Sequence, residues 1–158
     1  MKKTKLGVFV MDDEPDIVLM ITGSLEKDFK VYGFSEVEKA LDFYIANYHR
    51  IHVNLLDYKI PGTLEALLEK MKFWATRPTI IHTAYPVSSS NNLQQLLDSG
   101  QCARVLTKGS TSKTDKKEPY SLFLKKHIDL VYTNYIDNLT RIDKFRKFFE
   151  SLFPGVRI

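Results

Sequence analysis

Five side chains able to do chemistry stand where short apolar runs end. Val8-Phe9-Val10-Met11 runs into Asp12 and Asp13, Val53-Asn54-Leu55-Leu56 into Asp57, Thr79-Ile80-Ile81-His82 into Thr83, and Ala103-Arg104-Val105-Leu106-Thr107 into Lys108. Three clustered carboxylates would form a hard-oxygen site suited to Mg²⁺ or Mn²⁺. A carboxylate is also a covalent nucleophile that can carry a phosphoryl group. A lysine ammonium and a threonine hydroxyl could then hold two phosphoryl oxygens while the metal holds a third, as phosphoryl transfer requires. Each residue alone has a plainer reading. Asp12 and Asp13 could cap a following helix, Asp57 before Tyr-Lys-Ile-Pro-Gly could be turn chemistry, and a strand-end lysine could simply reach solvent. Their ordered recurrence, one group per run, favours the chemical reading.

The elements that must position these groups can be read along the chain. The runs 6–11, 30–34, 52–56, 78–82 and 103–107 are short, apolar and rich in β-formers, so they read as strands. Pro15 suits a first helical turn, with Ile17, Val18, Met20, Ile21 and Leu25 as its stripe. Ser35-Glu36-Val37-Glu38 has the form of a capping box before Ala40, Leu41, Tyr44 and Ile45. Thr63 is placed to cap a helix through Leu64, Leu67, Leu68 and Met71, and Gly100 to close one through Leu93, Leu96 and Leu97. Five strands alternating with helices imply a parallel α/β sheet covered on both faces. In such sheets the functional crevice lies beyond the carboxyl ends of the strands, where these five residues fall.

The segments "VFVMDDEPDIV", "VNLLDYKIPG", "TIIHTAY" and "SGQCARVLTKG", together with "GFSEVEKALDFY", resemble the receiver domain of bacterial-type response regulators over residues 5–108. The resemblance implies a flavodoxin-like, doubly wound five-stranded parallel sheet. It implies that Asp57 is the phospho-acceptor, that Asp12, Asp13, Asp57 and the backbone carbonyl of Lys59 bind Mg²⁺, and that Thr83 and Lys108 contact the phosphoryl group. It also implies a sensor histidine kinase or phosphotransfer protein as partner. The chain departs from the pattern in places. Gly109 stands where the family has proline, the loop after Gly62 is shortened, and Val105 replaces the aromatic switch residue. Lys59 and Tyr85 would flank the phosphate and tune its lifetime. A haloacid-dehalogenase-like phosphatase also uses a nucleophilic Asp, but would want a carboxylate where Lys59 stands.

Residues 1–110 carry equal numbers of basic and acidic side chains, so the whole net charge of +4 lies in 111–158. That field is too weak to make nucleic acid the expected partner, although a nucleic-acid regulator using the basic aromatic tail is one rival reading. After a polar segment, 109–118, no Gly or Pro interrupts Tyr120 to Phe153, and Pro154-Gly155 supplies a stop. Ile128, Val131, Tyr135, Asn138, Ile142, Phe145, Phe149 and Leu152 alternate in steps of three and four, a heptad seam with one polar position. The expected division is a receiver domain at 1–132 and a helical extension at 133–158 that forms a homodimer. Alternatives are a stripe folded back on its own domain and a helix broken near Thr133-Asn134.

Several classes are excluded. There is no P-loop, dinucleotide glycine fingerprint or G-x-S-x-G elbow, and His49 and His52 lack companion ligands for zinc. No apolar run approaches the ~18 residues of a membrane span. The basic start is interrupted at Asp12 too soon for a leader, and the lone Cys102 suits a reducing cytoplasm. The expectation is therefore a non-enzymatic, Mg²⁺-dependent receiver, with a constitutive scaffold whose receiver site is idle as the second rival.

Overall fold

The computed structural model describes residues 4–60, 62–108 and 118–152. Pro61, Gly109 and the polar segment after it, and Phe153 with the Pro154-Gly155 stop lie outside the described residues. Strands β1 (Gly7–Met11), β2 (Lys30–Phe34), β3 (Val53–Asp57), β4 (Thr79–Thr83) and β5 (Arg104–Thr107) form one sheet in the order β2-β1-β3-β4-β5. Every pairing is parallel. Helices α1 (Pro15–Leu25), α2 (Val37–Asn47), α3 (Leu64–Trp74), α4 (Asn91–Asp98) and α5 (Tyr120–Leu152) connect and follow them. The expected doubly wound, flavodoxin-like α/β architecture is present.

The burial pattern explains why the strands read as unbroken apolar runs. The inner strands β1, β3 and β4 are buried at every position, while the edge strands β2 and β5 are partly open. One face of the sheet packs Val8, Val10, Leu55 and Ile80 against Ile21 and Leu25 of α1 and Leu124, Ile128 and Val131 of α5. The other packs Phe9, Met11, Leu56 and Ile81 against α2, α3 and α4 through Tyr44, Leu67, Met71, Leu93 and Leu96. Each such large side chain contributes roughly 1.5–3 kcal/mol by its removal from water.

Local signals were mostly obeyed. Pro15 opens α1, Thr63 Oγ1 accepts from the Ala66 amide at 3.1 Å, and Gly100 follows α4 with φ +72°. Ser35 does not cap. Glu36 keeps an extended backbone and occupies the cap position itself, so α2 starts too late for the Ser35 hydroxyl, and Glu36 pairs instead with Lys39 at 2.6 Å. Met20 is exposed, because Val18, Ile21 and Leu25 already span the core face of α1. The expected alternative of a break near Thr133-Asn134 does not occur, and α5 runs unbroken for 33 residues, about 50 Å.

The start of β1 is clamped to the start of β3. The Gly7 amide donates to His52 Nδ1 at 2.9 Å, and the His52 amide donates to the Gly7 carbonyl at 2.9 Å. His52 is therefore a neutral structural histidine, its pKa held down by burial. A Cβ on Gly7 would lie 1.9 Å from the Arg50 carbonyl oxygen, which is backbone and cannot swing aside. Gly7→Ala is expected to cost about 1–3 kcal/mol of stability, as overpacking does. Urea unfolding measures it, and a variant as stable as the parent would refute the clamp.

Candidate functional site

The sheet order reverses between β1 and β3, and the crevice opens at the carboxyl ends of those strands. Asp12 directly follows β1, with its amide donating to the Phe34 carbonyl at 3.2 Å, and Asp57 is the last residue of β3. Both are buried, at 1% and 5% exposure, whereas Asp13 is exposed at the mouth. One ligand oxygen from each of Asp12, Asp13 and Asp57 falls within 4.8 Å of the others. Lys108, just past β5, brings its Nζ to 2.6 Å from Asp12 Oδ2 and 2.8 Å from Asp57 Oδ1. The remaining oxygens are held by backbone: the Glu14 amide donates to Asp12 Oδ1 at 3.1 Å, and the Lys59 amide to Asp57 Oδ2 at 2.6 Å.

Thr83 ends β4, and its carbonyl accepts from the Lys108 amide at 2.6 Å, which locks the root of Lys108 to the neighbouring strand. Its Oγ1 accepts from the Tyr85 amide at 3.1 Å, leaving the hydroxyl hydrogen for an incoming oxygen. Across the mouth, Lys59 Nζ donates to the Tyr85 hydroxyl at 2.5 Å and lies 4.6 Å from the ring centroid. Asp13, Glu14, Asp57, Lys59, Thr83, Ala84, Tyr85 and Lys108 thus line one cleft. Four of the predicted strand-end residues, Asp13, Asp57, Thr83 and Lys108, meet there with both predicted flanking residues, and Asp12 joins them from beneath through Lys108.

The electrostatics are those of a carboxylate pair that cannot be left bare. Burial raises the pKa of Asp12, against the lowering effect of Lys108 and the Glu14 amide, and Asp57 adds to the rise. Burial works to lower that of Lys108, but its hydrogen bonds to Asp12 and Asp57 prevail and the net shift is upward. The ammonium already does for two of the three carboxylates what a cation would. The donor set, all hard oxygen and partly buried, fits a divalent ion of the Mg²⁺ type.

Two contributors were not singled out by the sequence. His82, opposite Asp57 in the ladder, is buried, and its Nε2 lies 2.9 Å from the hydroxyl of Tyr120, the first residue of α5. Burial, with Lys108 adding to it, pushes its pKa down to about 4, so it is neutral at pH 7. The sequence marks it only as a histidine beside Ile80 and Ile81 in a strand, which does not show what it faces. Tyr58, next to Asp57, lies 3.1 Å from Ser90 Oγ at the start of α4. Val105, where a switch aromatic was expected to be missing, is partly buried against the core.

The tail seam is divided. Ile128 and Val131 belong to the domain's own core, and Tyr135 donates to the Thr76 carbonyl at 3.0 Å, so these three positions are engaged within the chain. Asn138, Ile142, Phe145 and Leu152 are exposed, Ile142 by 64% and Phe145 by 63%, and Phe149 is half-buried. The stripe beyond Tyr135 therefore does not fold back on the described domain.

No protein-family model matches the sequence, and no curated protein matches it. Solved structures do. A response regulator receiver domain protein from Clostridium thermocellum is 23% identical, with 82% of this chain and 95% of that one covered at a TM-score of 0.66. An adenylate cyclase from Rhodopirellula baltica is 18% identical over 90% of this chain and 98% of that one, TM-score 0.70. A fusion carrying the yeast Spc42 trimeric coiled coil is 14% identical over 96% of this chain and 97% of that one, TM-score 0.71. The chain has the receiver-domain fold, with a long C-terminal helix.

A group whose folded pKa is raised gives stability that is present below its ordinary value and lost as pH rises through the folded one. Ionised Asp12 is thus a net liability at pH 7 in the metal-free protein. Asp12→Asn is expected to raise the urea midpoint at pH 7 in the presence of chelator, with the gain vanishing below pH 3.8. A lower midpoint at pH 7, or a gain independent of pH, would contradict the assignment.

Proposed function

We propose that the chain is a phosphorylatable receiver of two-component signalling, taking a phosphoryl group onto Asp57 from a histidine kinase, a phosphotransfer protein or a small acyl phosphate in the cytoplasm. The observation that carries the reading is the setting of Asp57. This buried strand-end carboxylate lies 2.8 Å from the Lys108 ammonium and 2.6 Å from the Lys59 amide, beside two further carboxylates. Asp12, Asp13, Asp57 and the Lys59 carbonyl would hold Mg²⁺ or Mn²⁺, which when bound neutralises charge on the carboxylates and the phosphoryl group.

The chain's own residues do the rest. An Asp57 oxygen forms the new bond to phosphorus, and the bond to the donor breaks with its electron pair leaving on the donor. Lys108 exchanges its contact with Asp57 for a phosphoryl oxygen while keeping Asp12, and Thr83 offers its hydroxyl hydrogen to another. The Lys59–Tyr85 pair across the mouth restricts water and so sets the lifetime of the acyl phosphate. The chain acts on its own phosphorylation state and on no other substrate.

Output is proposed through protein contact, by homodimerisation along 133–158. The exposed seam at Asn138, Ile142, Phe145 and Leu152 supports it, as does similarity to a protein whose name includes a trimeric coiled coil. A scaffold with an idle site is the second reading, favoured by Lys108 already satisfying both buried carboxylates.

Two measurements separate these. Acetyl phosphate with Mg²⁺ is expected to add the mass of one phosphoryl group to the parent and none to Asp57→Asn; no gain in the parent sinks the receiver reading. Sedimentation with Ile142→Asp or Phe145→Asp is expected to show association at least tenfold weaker, since a charge in an apolar seam is left unpaired. Beryllofluoride should shift association in the parent, whereas an idle scaffold would sediment alike with and without it.

A further inference from the structure

The stripe of α5 that packs the sheet and the exposed stripe after it are one line of side chains. Leu124, Ile128 and Val131 are buried against Val8, Val10, Leu55 and Ile80. At the next step Tyr135 passes the amino end of the sheet and donates to the Thr76 carbonyl at 3.0 Å, in the turn between α3 and β4. Beyond it the stripe faces the space beneath the ends of α2 and α3, which cover the sheet's other side.

Those ends carry an aromatic cluster. Phe73 and Trp74 close α3, 82% and 43% exposed, with ring centroids 5.5 Å apart. Tyr48, directly after α2, has its ring centroid 6.4 Å from that of Trp74. Trp74 is two residues from Thr76, so its backbone stands within about 7 Å of the root of the exposed stripe. The stripe and the cluster are two apolar walls of one open corner.

A second copy brings a helix with a matching stripe, and its direction follows from sterics. A helix packed on the seam parallel and in register would continue along the stripe past Tyr135 to Val131, Ile128 and Leu124. That space is filled by the chain's own sheet. The second helix cannot veer off, because α5 is unbroken from Tyr120 to Leu152. Run the other way, it enters the corner end-first, with its own domain at the far end.

We propose that two copies pair antiparallel along 135–152, each laying the end of its α5 against Tyr48, Phe73 and Trp74 of the other. The pairing rests on the self-association proposed for 133–158, and adds to it a direction and a second surface. Tyr135 of one copy lies level with Leu152 of the other, Asn138 with Phe149, and Ile142 with Phe145. The contact is isologous, so it closes at two copies. Phe73, Trp74, Phe145 and Phe148 are 43–82% exposed. At roughly 150–250 Å² for a fully buried aromatic, these four offer about 500 Å² per copy. Ile142 and Leu152 bring the total over both copies into the ~1,200–2,000 Å² of a stable interface.

Trp74 is the chain's only tryptophan, so its emission reports the contact. The full chain is diluted from about 1 mM, with and without beryllofluoride and Mg²⁺, and followed by sedimentation and fluorescence. Dissociation and a red shift of Trp74 emission are expected to share one midpoint. Phe73→Ser, outside the extension, is expected to weaken association at least tenfold while leaving the melting temperature of the dilute chain unchanged. On oxidation, Asn138→Cys alone is expected to give no disulfide-linked dimer, and an equimolar mixture of Asn138→Cys and Phe149→Cys to give one; the native Cys102 is buried. A chain that stays monomeric at about 1 mM under both conditions, where even a millimolar pair would be populated, sinks the self-association reading and this pairing with it. Association with unshifted Trp74 emission, undiminished by Phe73→Ser, or with disulfide formation by Asn138→Cys alone, overturns this pairing while that reading stands.

Discussion

Two carboxylates sit in the buried ends of adjacent parallel strands, and the structure depends on keeping them neutralised there. Asp12 and Asp57 are each almost fully removed from water. Left unpaired, such charges shift their pKa values or unfold the region around them. Lys108 prevents that by reaching both from a third strand, and it can do so only because its backbone is tied to Thr83. The site is thus a charge balance held by four strand ends at once. Any chemistry there has to exchange one neutralising partner for another rather than create charge in a dry place. This is the condition under which an incoming phosphoryl group and a divalent ion could enter together.

The same arrangement connects the crevice to the helix that leaves the domain. His82 stands between Asp57 and Leu106 in the ladder and touches Tyr120, where α5 begins. Burial keeps its ring neutral, so the contact is a fixed hydrogen bond and not a titrating one. The usual aromatic position in β5 is filled by Val105, which has no polar tip to move. The His82–Tyr120 contact thus ties β4 to the start of α5 without involving a side chain of β5.

The fold was legible because its inner strands are buried on both faces and its helices on one. That contrast writes continuous runs for Val8–Met11 and Val53–Leu56 and spaced apolar residues for Leu64–Met71. Asp12, Asp57, Thr83 and Lys108 were legible because they interrupt those runs at their ends. His82 was not, since a single polar residue inside a strand says nothing about what it faces until α5 is placed. The Ser35 cap failed for a related reason: the pattern fits two starts one residue apart, and the extended backbone of Glu36 chose the later. The seam in α5 carried no mark at Tyr135, where it passes from the domain's own core to a stretch in which Asn138, Ile142, Phe145 and Leu152 are exposed.

That change constrains what the extension can do. Leu124, Ile128 and Val131 lie on the face that packs the sheet, and Asn138, Ile142, Phe145, Phe149 and Leu152 continue it in the same steps of four and three. A mean step of 3.5 residues lags the helix by about 20° per heptad. From Leu124 to Leu152 is four heptads, so the exposed end of the stripe is turned by roughly 80° from the face that packs the sheet. A flat surface could not follow such a stripe, whereas a second helix winding left-handedly can. Arg141 and Arg146 flank the seam at spacings that would face each other across a parallel two-stranded pair. Arg146 is, however, already paired with Asp143 at 2.6 Å on its own helix, so its charge is offset before any second helix approaches.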